Sequence, residues 1–212
     1  MHSHSWLEYP IRFAGETIEL LSLEKSHFDE LFESAKDKRI WEFYPIDCSD
    51  RNKFFTHYSE VLAAREKENH YPFVIADKKS GRFIGASSLY DIHIKDKNLE
   101  IGWTWLHPDY WATEVNFECK LLLLSYCFDS LKCVRVQFRT NDLNLRSQKA
   151  IQKIGGKFEG ILRKNKIRED GSIRSSVYYS IINDEWENVR QKLLFEIAKK
   201  KELIRPTDAE PD

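Results

Sequence analysis

The chain has 212 residues, and its 33 lysines and arginines against 34 aspartates and glutamates give a formal net charge of −1. This balance provides no broad field for attracting nucleic acid or an anionic membrane. No apolar run approaches the roughly 18–20 residues of a membrane span, and the first residues lack the basic-then-apolar pattern of a secretion signal. We therefore expect a cytoplasmic protein that binds neither nucleic acid nor membrane and acts as a monomer or homodimer.

The length predicts a single domain over residues 1–204, followed by a flexible polar tail at 205–212. A hydrophobic content of 42% is sufficient for a core at this length. The histidines and cysteines lack metal-ligand spacing, so no metal site is predicted. The cysteines also show no CxxC spacing, and a chain this long does not need disulfides, so we expect four reduced thiols: Cys48, Cys119, Cys127 and Cys133.

In the first half, hydrophobic periodicity predicts two short strands, two helices and a three-strand antiparallel meander. Ser26 is the expected N-cap of the first helix, and Ser49 or Asp50 that of the second. Between the helices lies an aromatic-rich loop, Trp41–Cys48, around Pro45. The predicted strands are 11–13, 17–20, 71–76, 82–90 and 99–106.

In the second half the pattern changes to helix 114–131, strand 133–140 and a helix from Asn144 that ends at Gly155. Strands 158–163 and 176–182 follow, joined by a basic hairpin, and a last helix starts near Asp184. The strand–helix–strand–helix order predicts one parallel crossover. The predicted class is therefore α+β, with a mixed, mostly antiparallel sheet and helices on both faces.

Two segments join the end of a strand to the start of a helix, where backbone N–H groups favour an anion. Segment 105–116 (WLHPDYWATEVN) contains no glycine. It is either a cradle for a pyrophosphate or an ordinary turn capped by Thr113. Segment 141–147 (NDLNLRS) is either a ligand site or a helix cap made by Asn144, with Ser147 in the first turn.

Three further features each have a structural and a functional interpretation. Glu100 lies between Leu99 and Ile101 in a predicted strand, and it either points to solvent or acts as a base in a cleft. The basic hairpin 164–171 is either solvated or contacts an acidic substrate or a 3′-phosphate. The aromatic residues near Glu100 either fill the core or line a substrate groove: Tyr90, Trp103, Trp105, Tyr110 and Trp111.

A set of motifs occurs in a recognisable order between about residues 99 and 186. They are EIGWTWL from Glu100, TxVNxExKLLL from Thr113, RV from Arg135, NxxSxxAIxxIG from Asn144, EGxLR from Glu159 and YSIxxxEW from Tyr179. In their order and spacing they resemble the GNAT superfamily of acyl-CoA N-acyltransferases, in its RimJ/RimL-type branch. The resemblance implies a GNAT-like sheet in which two neighbouring parallel strands splay apart.

The resemblance also implies acetyl-CoA as the co-substrate, held in the gap between the strand ending at Leu106 and strand 134–139. The pyrophosphate would rest on N–H groups of residues 111–116, and Asn144 would hold the pantetheine arm. The implied cofactor-binding residues are Trp105, Leu106, Trp111, Ala112, Thr113, Glu114, Val115, Asn116, Asn144 and Ser147.

The implied reaction moves an acetyl group to a primary amine by direct attack in a ternary complex. An α-amino group has a pKa of about 7.7–8.0 against about 10.4 for lysine, so a protein or peptide N-terminus needs less help from a base. Glu100 is expected to take the proton, and Ser147 to assist the departing thiolate. Tyr90 and Trp103 are expected to bind the acceptor, and a backbone N–H at 103–105 to meet the oxyanion.

Two departures from the family pattern leave an alternative open. The usual pyrophosphate loop reads Arg/Gln-x-x-Gly-x-Gly/Ala, whereas this chain has Trp111, Glu114 and Asn116 at the matching positions. Glu114 would bring negative charge toward the phosphates unless its side chain turns outward. Many relatives carry a tyrosine where this chain has Ile151. The alternative is therefore a non-catalytic acyl-CoA-binding or interaction module on the same fold.

Overall fold

A single mixed sheet organises the molecule in the computed structural model, which describes residues 6–7, 9–168 and 170–204. The tail predicted at 205–212 lies outside the described residues. Along the sheet the strand order is β1-β2-β3-β4-β5-β6-β8-β7. The strands are β1 (Arg12–Ala14), β2 (Ile18–Ser22), β3 (His70–Asp77), β4 (Phe83–His93), β5 (Asn98–Leu106), β6 (Arg135–Asn141), β7 (Lys157–Ile167) and β8 (Ile173–Ile182).

Helices cover both faces of this sheet, as the sequence predicts. They are α1 (Phe28–Ala35), α2 (Arg51–Glu66), α3 (Val115–Ser125), α4 (Leu145–Lys153) and α5 (Trp186–Ile204). Aromatic side chains of α1 and α2 pack with Trp105 in one core, and α3 and α5 contribute to a second. No helix in the described ranges combines the length and apolar character that crossing a membrane requires.

Helix ends differ in detail from the sequence prediction. A short 3₁₀ turn precedes α1, so His27 rather than Ser26 occupies its N-cap. The N-cap position of α3 is Glu114, whose side chain makes no capping bond, but the Thr113 hydroxyl accepts the Val115 N–H at 3.3 Å. Asp50 and Asn144 cap α2 and α4 as expected, because their side chains accept bonds from backbone N–H groups of the first turn.

The parallel pair β5–β6 is short, and an opening between the two strands begins where their pairing ends. Only Asn98–Arg135, Leu99–Val136 and Glu100–Gln137 are paired across it. Beyond these pairs β5 stays bonded to β4, and β6 stays bonded to β8. The facing edges of residues 101–106 and 138–141 therefore separate. We call the opening between them the wedge.

A buried carboxylate holds α3 against the β1–β2 turn. Glu118 is 4% exposed. Its oxygens accept bonds from the backbone N–H groups of Glu16 and Thr17 and from the Thr17 hydroxyl. A Cβ at Gly15 would collide with this carboxylate, so any larger residue there would displace the Glu118 side chain. The contact fixes the position of the helix whose N-terminus faces the wedge.

Replacing Glu118 with alanine should lower the free energy of unfolding by about 2–4 kcal/mol, because buried backbone donors lose a charged acceptor. Chemical denaturation measures this change, and Glu42→Ala, at an exposed position, is the control. A loss no greater than that of the control would show that Glu118 does not anchor the turn.

Candidate active site

The wedge opens into a cavity of about 770 Å³ bounded by β5, β6 and α4. Most residues that the sequence placed in the site lie along its wall, and three do not. Glu100, Glu114 and Val115 are absent from the lining. The predicted residues that line it are Tyr90, Trp103, Trp105, Leu106, Trp111, Ala112, Thr113, Asn116, Asn144 and Ser147.

Glu100 lies at the point where β5 and β6 diverge, and it is fully buried. Tyr90 donates its hydroxyl hydrogen to one carboxylate oxygen, and Gln137 Nε2 donates to the other at 2.9 Å. Arg139 Nε lies 3.4 Å from the carboxylate and completes the ion pair. We call these four side chains the apex network. Tyr90 and Arg139 line the cavity, so they stand between it and Glu100.

A glycine lets Tyr90 reach this position. A Cβ at Gly102 would lie 2.7 Å from the Tyr90 ring. The ring therefore occupies the space that a side chain at position 102 would fill. Burial raises the pKa of Glu100, while Arg139 opposes that rise. The pKa of Tyr90 is also raised well above its ordinary value, mainly by burial. The network thus holds a carboxylate of increased basicity behind a neutral phenol.

A β-bulge changes the direction of β5 inside the wedge. Ala86 on β4 faces Trp105 and Ser88 faces Gly102, so β5 carries one extra residue there. Trp103 has a positive φ of 50°, a conformation that bulky residues rarely adopt. The next carbonyl, at Thr104, accepts a hydrogen bond of 2.6 Å from the Tyr44 hydroxyl. The bulge therefore interrupts the regular ladder beside the cavity.

The glycine-free segment after β5 is held by its aromatic side chain. Trp111 Nε1 donates to the Leu106 carbonyl at 2.9 Å, and the Arg146 guanidinium stacks 3.7 Å from the indole. Ala112 adopts a positive φ of 62°, which supplies a turn without glycine. Glu114 does not line the cavity. One oxygen of its carboxylate, Oε2, is buried and accepts no hydrogen bond within the described part of the chain.

At the start of α4, Asn144 acts as a helix cap and also lines the cavity. Its Oδ1 accepts the Ser147 N–H at 3.0 Å. The helix-cap interpretation of this segment is confirmed, and the ligand-site interpretation stays a prediction. Ile151 lines the same wall one turn further on and offers no polar atom.

Several cavity residues were not assigned a site role from the sequence. Arg139 and Lys120 are the main ones; Lys120 belongs to the TxVNxExKLLL motif but received no role there, and Arg139 belongs to none of the motifs. Tyr44 belongs to the aromatic loop, and Arg174 Nη1 holds that loop by donating to the Phe43 carbonyl at 3.3 Å. Lys166 and Arg174 of the β7–β8 hairpin also line the cavity, so the basic hairpin is not purely a solvated surface.

The fold and the site define an acyltransferase class, and comparison with known proteins gives the family. A model of the acetyltransferase (GNAT) domain matches residues 17–157. The chain therefore belongs to this family, and it is an enzyme of the acetyltransferase type. Acetyl-CoA use is general for the family.

The relatives agree with this assignment. The Bacillus subtilis (strain 168) protein "Probable N-acetyltransferase YjcK" is 28% identical over 169 residues, which cover 80% of this chain and 90% of that protein. A "putative acetyltransferase" from T. thermophilus is 29% identical with a TM-score of 0.80, covering 90% of this chain and 99% of that one. A GCN5-related N-acetyltransferase from Brucella melitensis has a TM-score of 0.81 at 23% identity over 89% of this chain and 86% of its own, a level that shows the fold alone.

Arg139→Met should lower the free energy of unfolding by about 3–5 kcal/mol at neutral pH, because it leaves the Glu100 carboxylate buried without its cation. A carboxyl whose pKa is raised in the folded state contributes stability below its unfolded pKa and loses it as pH rises through the folded pKa. The deficit should therefore shrink toward pH 4, where Glu100 is protonated.

Denaturation at several pH values measures this effect, with Arg139→Met/Glu100→Gln as the matched control. The double variant should recover part of the stability at neutral pH. A deficit of equal size at every pH would instead indicate lost packing around Arg139.

Proposed function

We propose that this protein is an acetyl-CoA-dependent N-acetyltransferase of the RimJ/RimL type that acetylates a primary amine, such as a protein or peptide N-terminal α-amine. The observation that carries the proposal is the wedge, which separates two parallel strands after three residue pairs. The cavity it forms collects Trp105, Asn144 and Ser147 on facing elements.

The described residues fit acetyl-CoA in three respects. The edge of β5 at 101–106 is free of strand pairing on the wedge side, so it offers backbone groups to a pantetheine amide. The segment 111–116 leads into the N-terminus of α3, where N–H groups and the helix dipole favour phosphate. Exposed cations of α4 line the outer wall: Arg146, Lys149 and Lys153.

Bound acetyl-CoA supplies the activated acetyl thioester, and the apex network takes up the proton of the attacking amine. Tyr90 lines the cavity, its hydroxyl hydrogen points to Glu100, and its oxygen accepts a bond from Arg139 Nη2 at 3.2 Å. Tyr90 accepts the amine proton while passing its own to Glu100, so Glu100 acts as the base through Tyr90. The raised pKa of Glu100 brings its basicity closer to what this step needs.

Two other groups act on the reacting atoms. A backbone N–H at 103–105, displaced by the bulge, donates to the oxyanion of the tetrahedral intermediate. The Ser147 hydroxyl, at the start of α4, donates a hydrogen bond to the sulfur. The first lies on β5 and the second on α4.

The acceptor side of the cavity is aromatic. The Trp103 ring centroid lies 6.0 Å from that of Tyr44 and 4.8 Å from that of His57. Such a wall suits an extended peptide end or another acceptor with apolar parts. An α-amine is the favoured nucleophile, because a larger fraction of it is uncharged at neutral pH than of a lysine side chain.

The proposal predicts that acetyl-CoA binds and that turnover depends on the relay. Tyr90→Phe and Glu100→Gln should each lower kcat by about 10²-fold or more, since general base catalysis contributes about 10²–10⁴. The affinity for acetyl-CoA should stay unchanged. Isothermal titration gives the affinity, and release of free thiol with a panel of peptide amines gives the turnover.

Asp91→Asn, close to the network but exposed on β4, is the control for a change of local charge. No heat with acetyl-CoA at millimolar concentration would contradict the proposal. Binding without thiol release on any amine would favour the non-catalytic module instead. Full activity of Tyr90→Phe would show that Glu100 does not act through Tyr90.

A further inference from the structure

A lysine is buried beside the bulge of β5 without an acidic partner. Lys120, on α3, is 5% exposed and lines the wedge cavity. Its Nζ donates to the Thr104 hydroxyl on β5 and to the Ser87 hydroxyl on β4, the latter at 3.3 Å. These two hydroxyls also bond to each other at 2.8 Å. The ammonium is thus fixed between two strands by neutral groups.

Buried charges in proteins are normally paired or neutralised by a ligand. Among residues 6–7, 9–168 and 170–204, no carboxylate forms an ion pair with Lys120. The adjacent Glu118 is committed to the β1–β2 turn. The unmatched charge borders a cavity, so an anion or a developing negative charge within the wedge is the partner its chemistry calls for.

The reaction proposed above produces such a charge in the wedge. The thioester lies beside the bulge at 103–105, next to the residue to which Lys120 is bonded. Its sulfur leaves with an electron pair and needs a proton. Ile151, on the facing helix α4, cannot provide one, and a serine hydroxyl such as that of Ser147 is a much weaker acid than an ammonium.

We propose that Lys120 is the catalytic acid of this acetyl transfer, an inference that rests on the proposed function. As the amine nitrogen forms its bond to the acetyl carbon, the carbon–sulfur bond breaks and its electron pair stays on sulfur. The Lys120 ammonium gives that sulfur a proton, and Ser147 donates a hydrogen bond to it. The amine proton goes to Glu100 through Tyr90, and exchange of one proton with solvent resets both residues.

The groups around Lys120 determine the expected pH dependence. Burial lowers the pKa of Lys120, and the Cys119 thiol on the same helix opposes this. From β4 and β5 it faces the uncharged hydroxyls of Ser87 and Thr104. A lowered lysine pKa lies closer to that of a thiol, about 8.5, which suits proton transfer to sulfur. Activity should fall as pH rises through this pKa.

The test compares Lys120→Met and Lys120→Arg with the wild-type chain. Lys120→Met should lower kcat about 10²-fold while leaving the dissociation constant of acetyl-CoA unchanged. Lys120→Arg keeps a charge that stabilises the departing thiolate but cannot give it a proton, so its kcat should lie between those of Lys120→Met and the wild type. Its pH profile should have the alkaline limb moved upward, since arginine does not deprotonate in this range. Lys67→Met, at an exposed position of the chain, controls for loss of a lysine.

A second readout does not depend on turnover. Ultraviolet absorbance of the thiolate reports the pKa of the CoA thiol in its complex with the protein. A nearby ammonium should lower that pKa by about 1 unit or more in the wild type, and the shift should disappear in Lys120→Met. If Lys120→Met does not fold, the alkaline limb of Lys120→Arg remains decisive.

Two results would overturn the inference. In the first, Lys120→Met binds acetyl-CoA, turns over at the wild-type rate and leaves the thiol pKa unaltered, so that only the role of Lys120 fails. In the second, an unmoved alkaline limb in Lys120→Arg excludes titration of this residue. If the wild-type chain does not bind acetyl-CoA, the proposed function fails together with the inference. This outcome differs from the two results above, in which acetyl-CoA still binds.

Discussion

The separation of β5 from β6 after Glu100 is the constraint on which the site depends. A sheet normally satisfies the backbone groups of its strands through neighbouring strands, and here two edges are left apart inside the molecule. The apex network occupies the point of divergence. Its buried ion pair and the hydrogen bonds from Tyr90 and Gln137 join side chains of β4, β5 and β6 at the last paired position. The cost of burying these charges is offset by their mutual bonds.

Three buried charged residues perform three different tasks around this opening. Glu118 is fully bonded and fixes α3 to the β1–β2 turn. Glu100 is paired, and the phenol of Tyr90 separates it from the cavity. Lys120 has neutral partners and borders the cavity. All three side chains are buried, but their hydrogen-bond partners differ. Glu118 is fully bonded and stabilises the fold, whereas Lys120 has no charged partner and is available to a reacting molecule.

The sequence predicted the α+β class and the element order, because strand and helix periodicities are local. The position of the wedge followed only from the resemblance to the GNAT superfamily. Motif order located Trp105, Asn144 and Ser147 on the cavity wall. It could not indicate that Tyr90 covers Glu100, since this depends on the missing Cβ of Gly102. It included Lys120 in the TxVNxExKLLL motif but could not indicate its role, because the hydroxyls that hold it come from two distant strands.

On the proposed function, the open edge of β5 receives the thioester arm of acetyl-CoA. Amide hydrogen exchange, followed by NMR with and without acetyl-CoA, tests it most directly. We expect amides within 101–106 to exchange more slowly in the complex, together with those of 111–116, while the paired amides of β3 do not change. Binding that leaves 101–106 as fast as in the free protein, or protects only other surfaces, would contradict it.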